Sequence, residues 1–312
     1  MSTSVSVRAG EPRGRVLVAF AAVYVVWGST YLAIHYGVQT IPPFLLGGVR
    51  FLLAGVLLFA WARLRGSPVP SRPEWRAAAM SGLLMLLGGN GAVVWSEQHI
   101  ASGTVALIVA GVPLWMVLLE WLRPGGGERP RPLVFAGLGL GLAGLVLLIG
   151  PDALAHHASG ESLGSGALLV PVIGSFFWAA GSLYSRHGAR PPSSVLATGI
   201  QMLAGGVAFL AASVAAGEPT HFHPGAVSLV SMLGLLYLVA FGSLVGFTAY
   251  IYLLRASSPA RVSTYAYVNP VVAVLLGWAV AGEPISGRTI AAAAVILAGV
   301  ALITNGSGRR RR

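Results

Sequence analysis

The sequence contains no cysteine and no lysine, and each absence excludes a class of chemistry. Without cysteine the chain has no disulfide bond, no thiolate metal site and no cysteine nucleophile. Without lysine it has no P-loop, because that phosphate-binding motif requires a lysine after its glycines. Charge is also scarce, since 9% of the 312 residues are charged, whereas soluble domains carry roughly 25%. So little charge does not cover the surface of a soluble protein, and lipid is the expected solvent for most of the chain.

Apolar runs long enough to cross about 30 Å of hydrocarbon, which takes roughly 17–25 residues, recur along the whole sequence. The chain is 55% hydrophobic and its mean hydropathy is +0.78. We therefore predict an all-α membrane protein with ten transmembrane helices, at Val16–Ile34, Phe44–Ala62, Ala77–Ser96, Ala101–Leu119, Leu133–Gly150, Leu163–Ser185, Ser193–Gly217, Ser228–Leu254, Val262–Gly282 and Thr289–Thr304.

The arginines predict the orientation of these helices. The net charge is +11, but the basic residues are dispersed through short loops, which predicts no nucleic-acid partner. With the N-terminus inside, all of the 20 arginines except Arg50 and Arg288 fall in cytoplasmic segments. This asymmetry follows the positive-inside rule and predicts that both termini are cytoplasmic. The tail from Arg309 to Arg312 is expected to contact anionic lipid headgroups.

Weak internal matches recur in the same order in the two halves of the chain. They pair Gly28-Ser29-Thr30-Tyr31 with Gly181-Ser182-Leu183-Tyr184, Pro113 with Pro270, and Leu142-Ala143-Gly144 with Leu297-Ala298-Gly299. The order predicts two five-helix repeats, 16–150 and 163–304. An odd number of helices inverts the second repeat in the membrane, and inverted repeats are a common transporter architecture with the substrate site between them.

The resemblance to a known family rests on several motifs. In the first half they are Trp27-Gly28-Ser29-Thr30-Tyr31, Arg50-Phe51-Leu52-Leu53-Ala54-Gly55, Asn90-Gly91, Trp95-Ser96-Glu97-Gln98, Ser102-Gly103 and Val112-Pro113-Leu114-Trp115; in the second half they are Asn269-Pro270-Val271 and Gly282-Glu283-Pro284. Over roughly Val16 to Thr304 the chain resembles the EamA family of the drug/metabolite transporter superfamily. The resemblance implies ten helices in two inverted repeats and a plasma-membrane carrier of small organic molecules. The Gly125-Gly126-Gly127 loop departs from the shorter turns that are usual at the repeat junction.

Arg50, Glu97 and His99 are the ionisable candidates for a working site. An arginine within a span costs roughly 2.5–3.5 kcal/mol on insertion scales, so Arg50 needs a cavity or a partner. It either binds a substrate carboxylate or gates the path, or it is a structural arginine that bonds to helix carbonyls or snorkels toward the outer interface. Glu97 and His99, at the outer end of the third span, are candidates for proton coupling or gating. The alternative is that both are interfacial residues, and that Glu97 pairs with Arg50.

Two prolines mark candidate helix breaks at matching positions of the two halves, Pro113 and Pro270. Such interruptions indicate a substrate site in transporters. Asn90 and Asn269 are polar residues in apolar spans, where they bind substrate or hydrogen-bond to a neighbouring helix. Of the aromatic residues at membrane depth, which are Trp27, Trp95, Trp115, Trp178, Tyr250 and Tyr265, we expect Trp115 and Tyr265 first to line a cavity, because they flank the prolines.

One motif points to a different function and is rejected. Gly139, Gly141 and Gly144 have the spacing of a dinucleotide-binding fingerprint, but that motif follows a β-strand. Here it lies inside an apolar helix, where Gly137 and Gly141 instead predict a small-residue packing face. His156-His157 and His221/His223 are predicted to lie in solvated loops, so we expect no metal site and no cofactor.

Three classes of function remain after these observations. The first is a secondary-active transporter, most simply an exporter of amino-acid-like or drug-like metabolites by alternating access, with the lipid bilayer and a small-molecule substrate as its partners. The same fold also serves uptake, because gradients set the direction of transport. A membrane-embedded enzyme lacks support, since no paired carboxylates, no HExxH motif and no nucleophile–base spacing occur in the spans. A scaffold or sensor would need an output domain for which the chain has little room.

Overall fold

The computed structural model describes residues 13–96, 108–109, 111–125, 129–158, 166–281 and 286–306. Within these residues the chain forms helices and no β-strand. The longer helices are α1 (Arg13–Gly37), α2 (Pro43–Leu64), α3 (Arg72–Ser96), α4 (Val112–Leu122), α5 (Pro132–Ala158), α6 (Gly166–His187), α7 (Ser194–Ala215), α8 (Leu229–Ala256), α9 (Tyr265–Ala281) and α10 (Gly287–Gly306). Short helical turns at Glu218–His221, Pro224–Ala226 and Pro259–Val262 lie in the connections.

Five of these helices, α1, α2, α3, α7 and α8, are long and apolar enough to cross a membrane. Val112–Leu122, Pro132–Gly144 and Ile290–Ile303 are shorter apolar helices. The prediction of an all-helical, multi-pass membrane protein is therefore confirmed. The count of ten spans, the inverted repeat and the cytoplasmic termini stay predictions.

Local sequence explains where several helices begin. α2 starts at Pro43, whose fixed φ suits the first turn of a helix. α3 begins with a capping box, in which the Glu74 carboxylate accepts a 2.7 Å hydrogen bond from the backbone N–H of Ser71. The Ser193 hydroxyl accepts from Leu196 N–H at 3.0 Å at the start of α7. Gly217, at φ +73°, lies between the end of α7 and the turn at Glu218–His221.

Two helices contain a π-helical segment, Leu83–Gly91 in α3 and Leu238–Phe247 in α8. A π-helix is wider than an α-helix, and such segments are frequent at functional sites. Both segments carry glycines that bring their backbone against large side chains. An added Cβ at Gly89 would lie 2.9 Å from the Trp178 ring, and one at Gly246 would lie 2.5 Å from Trp27 Nε1.

The helices pack in pairs that join the two halves of the chain. The most extensive contacts are those of α2 with α7 and of α5 with α10, and α1 also packs on α8 and α9 while α6 packs on α3 and α4. The predicted small-residue face of α5 is confirmed. A Cβ at Gly137 would lie 2.8 Å from Gly299 O, and one at Gly299 would lie 2.8 Å from Gly141 N, so only glycine permits this approach of α5 and α10.

Candidate functional site

A cavity lies where α1, α2, α3, α6, α8 and α9 meet, and it encloses about 840 Å³ of empty space, including its open mouth. Small-molecule sites typically have mostly apolar walls and a few polar groups. The walls fit that description. The polar lining residues are Thr30, Arg50, Asn90, Ser175 and Asn269, and the aliphatic ones are Ile34, Val93, Val94, Val109 and Val112.

Arg50 is the one charged side chain among the described residues that line the cavity. It projects from α2, two turns after the helix start, and is 7% exposed. Its Nε donates a 2.9 Å hydrogen bond to Ser243 Oγ in the π-helical segment of α8. Its guanidinium carbon lies 4.7 Å from the centre of the Phe51 ring, which is a cation–π contact.

No carboxylate neutralises Arg50 within the described part of the chain. Glu120 forms an ion pair with Arg123, at 3.9 Å, and lies 2.8 Å from His187 Nε2. Glu97 and His99, the predicted coupling or gating residues, lie outside the described residues, and so does the predicted pairing of Glu97 with Arg50. The guanidinium therefore offers a positive charge and free N–H donors to the cavity.

The two asparagines have different surroundings. Asn90, half-buried in the π-helical segment of α3, lines the cavity, and its side-chain amide has no hydrogen-bond partner among the described residues. Asn269 is 3% exposed. With its amide nitrogen turned toward them, it donates to the backbone oxygens of Tyr24, at 3.2 Å, and Tyr265, at 3.1 Å. Asn269 thus links α9 to α1, whereas Asn90 presents both a donor and an acceptor to a ligand.

An aromatic cluster forms one end of the cavity, with Trp27 at its centre. The Trp27 ring lies 5.0 Å from Tyr265, 5.0 Å from Tyr250 and 5.7 Å from Trp178, measured between centroids. The Tyr265 and Trp178 rings meet it edge-on, a favourable geometry for aromatic pairs. Trp27, Trp178, Phe247 and Tyr265 face the cavity, whereas Tyr250 is fully buried.

Hydrogen bonds fix the orientation of this cluster. Trp27 Nε1 donates to Gly242 O at 3.1 Å, a carbonyl of the π-helical segment of α8. Trp178 Nε1 donates to the Tyr250 hydroxyl at 3.1 Å, and that hydroxyl lies 2.6 Å from Ser182 Oγ. The indoles of α1 and α6 are therefore both held against α8, and both residues line the cavity.

Trp115 does not line the cavity, although we expected it to do so. It follows Pro113 by two positions, and its ring meets Phe176 of α6 edge-on at a centroid distance of 5.5 Å. It is not among the lining residues of the cavity. Sequence proximity to a proline was a poor guide here because neighbouring positions of a helix face different directions.

Both candidate helix-break prolines lie close to a helix start. Pro113 is in the first turn of α4, after a turn in which Gly111 N–H donates to Ile108 O at 2.9 Å. Pro270 lies inside α9. The chain before α9 is irregular, since Ala266 N–H donates to Ser263 O, three residues back, at 3.1 Å. α9 continues through Pro270, so the predicted break at this proline is not observed. Val112 and Asn269, which adjoin the two prolines, line the cavity.

The chain packs tightly beneath the aromatic cluster. The Tyr24 and Thr264 hydroxyls lie 2.5 Å apart and join α1 to the turn before α9. The Arg186 guanidinium donates to the carbonyl oxygens of Leu254 and Ser257, which joins α6 to the end of α8. These contacts close the end of the helix bundle at which α1 and α9 begin and α6 and α8 end.

Ser243 and Gly242 are site residues that the sequence analysis missed. Ser243 is the hydrogen-bond partner of Arg50, and a Cβ on Gly242 would lie 2.8 Å from an Nη atom of Arg50. Both belong to an apolar run in which serine and glycine are ordinary helix-packing residues. The π-helical geometry that turns them toward Arg50 has no recognisable pattern in the sequence.

The arrangement of a polar, arginine-bearing cavity between packed apolar helices agrees with the comparisons with known proteins. The model of the EamA-like transporter family matches residues 14–150 and 164–305. The chain belongs to the EamA-like transporter family. It is accordingly a multi-pass membrane transporter, as the resemblance in its motifs implied.

Proteins of Escherichia coli and Dickeya dadantii are similar to this chain. The inner membrane transporter YedA of Escherichia coli strain K12, named as uncharacterized, is 43% identical over 291 residues, which cover 92% of this chain and 90% of YedA. Protein PecM of Dickeya dadantii is 27% identical over 92% of this chain and 91% of its own. A solved crystal structure of another protein, 24% identical, covers 95% of this chain and 99% of its own with a TM-score of 0.75, and shows that the fold is shared.

Proposed function

We propose that this protein is a secondary-active transporter that exports small organic metabolites across the cell membrane by alternating access, with the Arg50 cavity as its substrate site. The observation that carries the proposal is the Arg50 guanidinium, which faces an aromatic-walled cavity and has no carboxylate partner among the described residues. An intramembrane charge is costly, and a substrate that completes its hydrogen bonds offsets that cost.

The lining favours a substrate with an anionic end and a flat or apolar body, as in amino-acid-like or drug-like molecules. A carboxylate would accept bidentate hydrogen bonds from Arg50, and Asn90 would hydrogen-bond to a neighbouring polar group. The body would lie on Trp27 and Tyr265. Because binding uses aromatic faces and one charge, shape and the position of the carboxylate would set the selectivity.

Gradients are the expected source of energy for this transport. The chain has no P-loop lysine, so we propose that the substrate gradient itself or protons drive the cycle, with Glu97 and His99 as the residues to test for coupling. Export is our proposal for the direction and uptake is the alternative, because alternating access is reversible. The cell membrane is the proposed location, in keeping with the name of the YedA relative as an inner membrane transporter.

The direction in which the cavity opens follows from the predicted orientation. With cytoplasmic termini, the Tyr24–Thr264 contact lies on the cytoplasmic side, so the conformation described would face outward.

A chain without cysteine allows a direct test of this orientation. In a Val93→Cys variant, which places a thiol in the cavity wall, a membrane-impermeant maleimide added outside cells should react. A Val207→Cys variant on the exposed face of α7 should stay unlabelled in lipid, and labelling of Val93→Cys only from the cytoplasmic side would contradict the orientation.

A thermal-shift screen of the purified protein in detergent tests the substrate class. The panel would contain amino acids (aromatic ones included), their carboxamide analogues, quaternary cations and sugars. A ligand that binds only the folded state raises the unfolding temperature. We expect stabilisation by compounds with a carboxylate and a smaller effect of the matching amides. Stabilisation by quaternary cations alone would contradict the proposed substrate class.

A further inference from the structure

A second concave site lies at the end of the molecule opposite the cavity mouth, where α6 and α8 end and α7 begins. This crevice has an empty volume of about 190 Å³, and its walls include Arg190, Arg255, Gln201, Ser185 and Ala189. It shares no lining residue with the Arg50 cavity. Any ligand of this crevice is therefore separate from the transported substrate.

Two arginines of different helices face this crevice without a carboxylate. Arg190 follows α6, and Arg255 lies in the last turn of α8. Their positive charges act on each other. Among the described residues neither forms an ion pair, and the carboxylate of Glu74, on the nearby α3, is engaged with Ser71. Two adjacent like charges without a counterion repel, so an anion between them would stabilise the folded protein.

Two buried polar atoms of the crevice, Arg255 Nε and Gln201 Oε1, also have no hydrogen-bond partner among the described residues. Gln201 as a whole is 1% exposed. Buried donors and acceptors are normally satisfied, and each exception calls for a missing partner. Gln201 Nε2 donates to Ser185 Oγ at 2.9 Å. If the amide is rotated by 180°, Ser185 can donate to Oε1 instead, and the two N–H groups of Gln201 take the place of the unpartnered oxygen.

We propose that this crevice binds a phosphate group, held by the guanidinium groups of Arg190 and Arg255 and by the side-chain amide of Gln201. Arginine forms bidentate, charge-assisted hydrogen bonds with phosphate oxygens. The group belongs either to an anionic lipid headgroup or to free phosphate.

The position of the crevice favours the lipid source. It lies where α6 ends at His187, α7 starts at Ser194 and α8 ends at Ala256. Since α7 and α8 are long and apolar enough to cross a membrane, their ends at the crevice are expected at the level of the headgroups. Basic pockets between transmembrane helices on the cytoplasmic side bind such headgroups. Arg190 is exposed and Arg255 half-buried, so a headgroup can enter from the side while its chains remain in the membrane.

The experiment measures lipid binding by native mass spectrometry of the purified full-length protein. The probes are short-chain phosphatidylglycerol and the corresponding diacylglycerol, which lacks the phosphate; inorganic phosphate is added separately in a thermal-shift assay against chloride at equal ionic strength. The variants are Arg190→Gln/Arg255→Gln and, as a control that removes the same charge, Arg13→Gln/Arg15→Gln at the exposed start of α1. Ala189→Leu narrows the crevice and leaves both arginines in place.

We expect phosphatidylglycerol to bind the wild type and the α1 control equally, and the crevice double variant about tenfold more weakly, since hydrogen bonds to charged groups are involved. Ala189→Leu should also weaken binding, which keeps the test valid if the double variant does not fold. Stabilisation by inorganic phosphate without lipid selectivity would assign the site to free phosphate. Equal binding by the crevice and control variants, equal binding of diacylglycerol, or no binding of either phosphate probe to the wild type would overturn the proposal.

Discussion

Arg50 Nε donates a hydrogen bond to Ser243 Oγ at 2.9 Å, and this contact joins α2 to the π-helical segment of α8 beside the cavity. The two residues belong to different halves of the chain. Alternating access requires the halves to move relative to each other around the bound substrate. A substrate carboxylate that binds Arg50 would therefore also change the contact between the two halves.

Ser243→Ala should lower transport without unfolding the protein, because it removes the group that orients the Arg50 side chain. We expect transport efficiency, measured as kcat/KM in proteoliposomes, to fall about tenfold, as for the loss of a hydrogen bond to a charged group. The control is Ser175→Ala, since Ser175 lies in the cavity wall but bonds the carbonyl of Pro171 in its own helix at 2.8 Å. Equal rates for the two variants would show that Ser243 does not orient Arg50.

Gly242→Ala should displace the Arg50 guanidinium while leaving most packing intact. The added Cβ would lie 2.8 Å from an Nη atom of Arg50 and 3.0 Å from Thr30 Cγ2, and the end of a long side chain is the part that moves. We expect a large loss of transport with an unfolding temperature close to that of the wild type.

Two other glycines serve as controls for this substitution. A Cβ at Gly139 meets no atom within 4 Å, so Gly139→Ala should keep transport and gain up to about 1 kcal/mol of helix stability. A Cβ at Gly82 would lie 2.2 Å from the backbone oxygen of Gln201, so Gly82→Ala should lower the unfolding temperature. If Gly242→Ala instead behaves like Gly82→Ala, its effect on transport is structural.

Glu218 is expected to stabilise the start of α2. Its two carboxylate oxygens accept hydrogen bonds from the backbone N–H groups of Phe44, at 3.0 Å, and Leu45, at 2.8 Å. Negative charge at a helix N-terminus is favourable, so Glu218→Ala should reduce the free energy of unfolding by about 1 kcal/mol. Thermal unfolding of the purified protein measures this. Thr220→Ala, in the same short turn, should have little effect, and an equal loss in both variants would contradict the capping role.

The prediction that Glu97 couples transport to protons stays open to a flux measurement. In proteoliposomes with an imposed pH gradient, Glu97→Gln should lose the acceleration that the gradient gives to the wild type, because an amide does not bind and release protons in this range. His99→Gln tests the neighbouring candidate in the same way. A gradient effect of wild-type size in the Glu97→Gln variant would exclude Glu97 from coupling.

Much of the fold could be predicted because bilayer thickness imposes a length and an apolar composition on each membrane helix. Four predicted site residues, Arg50, Asn90, Tyr265 and Asn269, line one cavity. Arg50 and the asparagines were recognisable because polar groups are costly in an apolar helix and need a reason to be there. Residues of this kind carry their functional meaning in the sequence itself.

The remaining site residues could not be predicted because their role depends on tertiary packing. Ser243 and Gly242 become partners of Arg50 only through the π-helical turn of α8, and no residue pattern specifies that turn. Trp27 became the centre of the aromatic cluster because Gly246 allows its ring to approach the backbone of α8. Trp115, selected for its nearness to Pro113, faces Phe176 instead.

The central claim is that Arg50 binds the transported substrate, and the most direct measurement is the initial rate of transport by Arg50→Gln and Arg50→Lys in proteoliposomes. The substrate is the carboxylate compound that most stabilises the wild type in the thermal-shift screen. The matched control is Arg63→Gln, because Arg63 lies on the same helix but bonds the carbonyl of Ser67 away from the cavity.

We expect Arg50→Gln to transport at least about tenfold more slowly than the wild type at equal protein content, since a hydrogen-bonded charge on the substrate loses its partner. Arg50→Lys should retain part of the rate, because it keeps the charge without the bidentate geometry. Arg63→Gln should match the wild type. A wild-type rate with an unchanged KM in the Arg50→Gln variant would contradict the assignment of Arg50 to the substrate site.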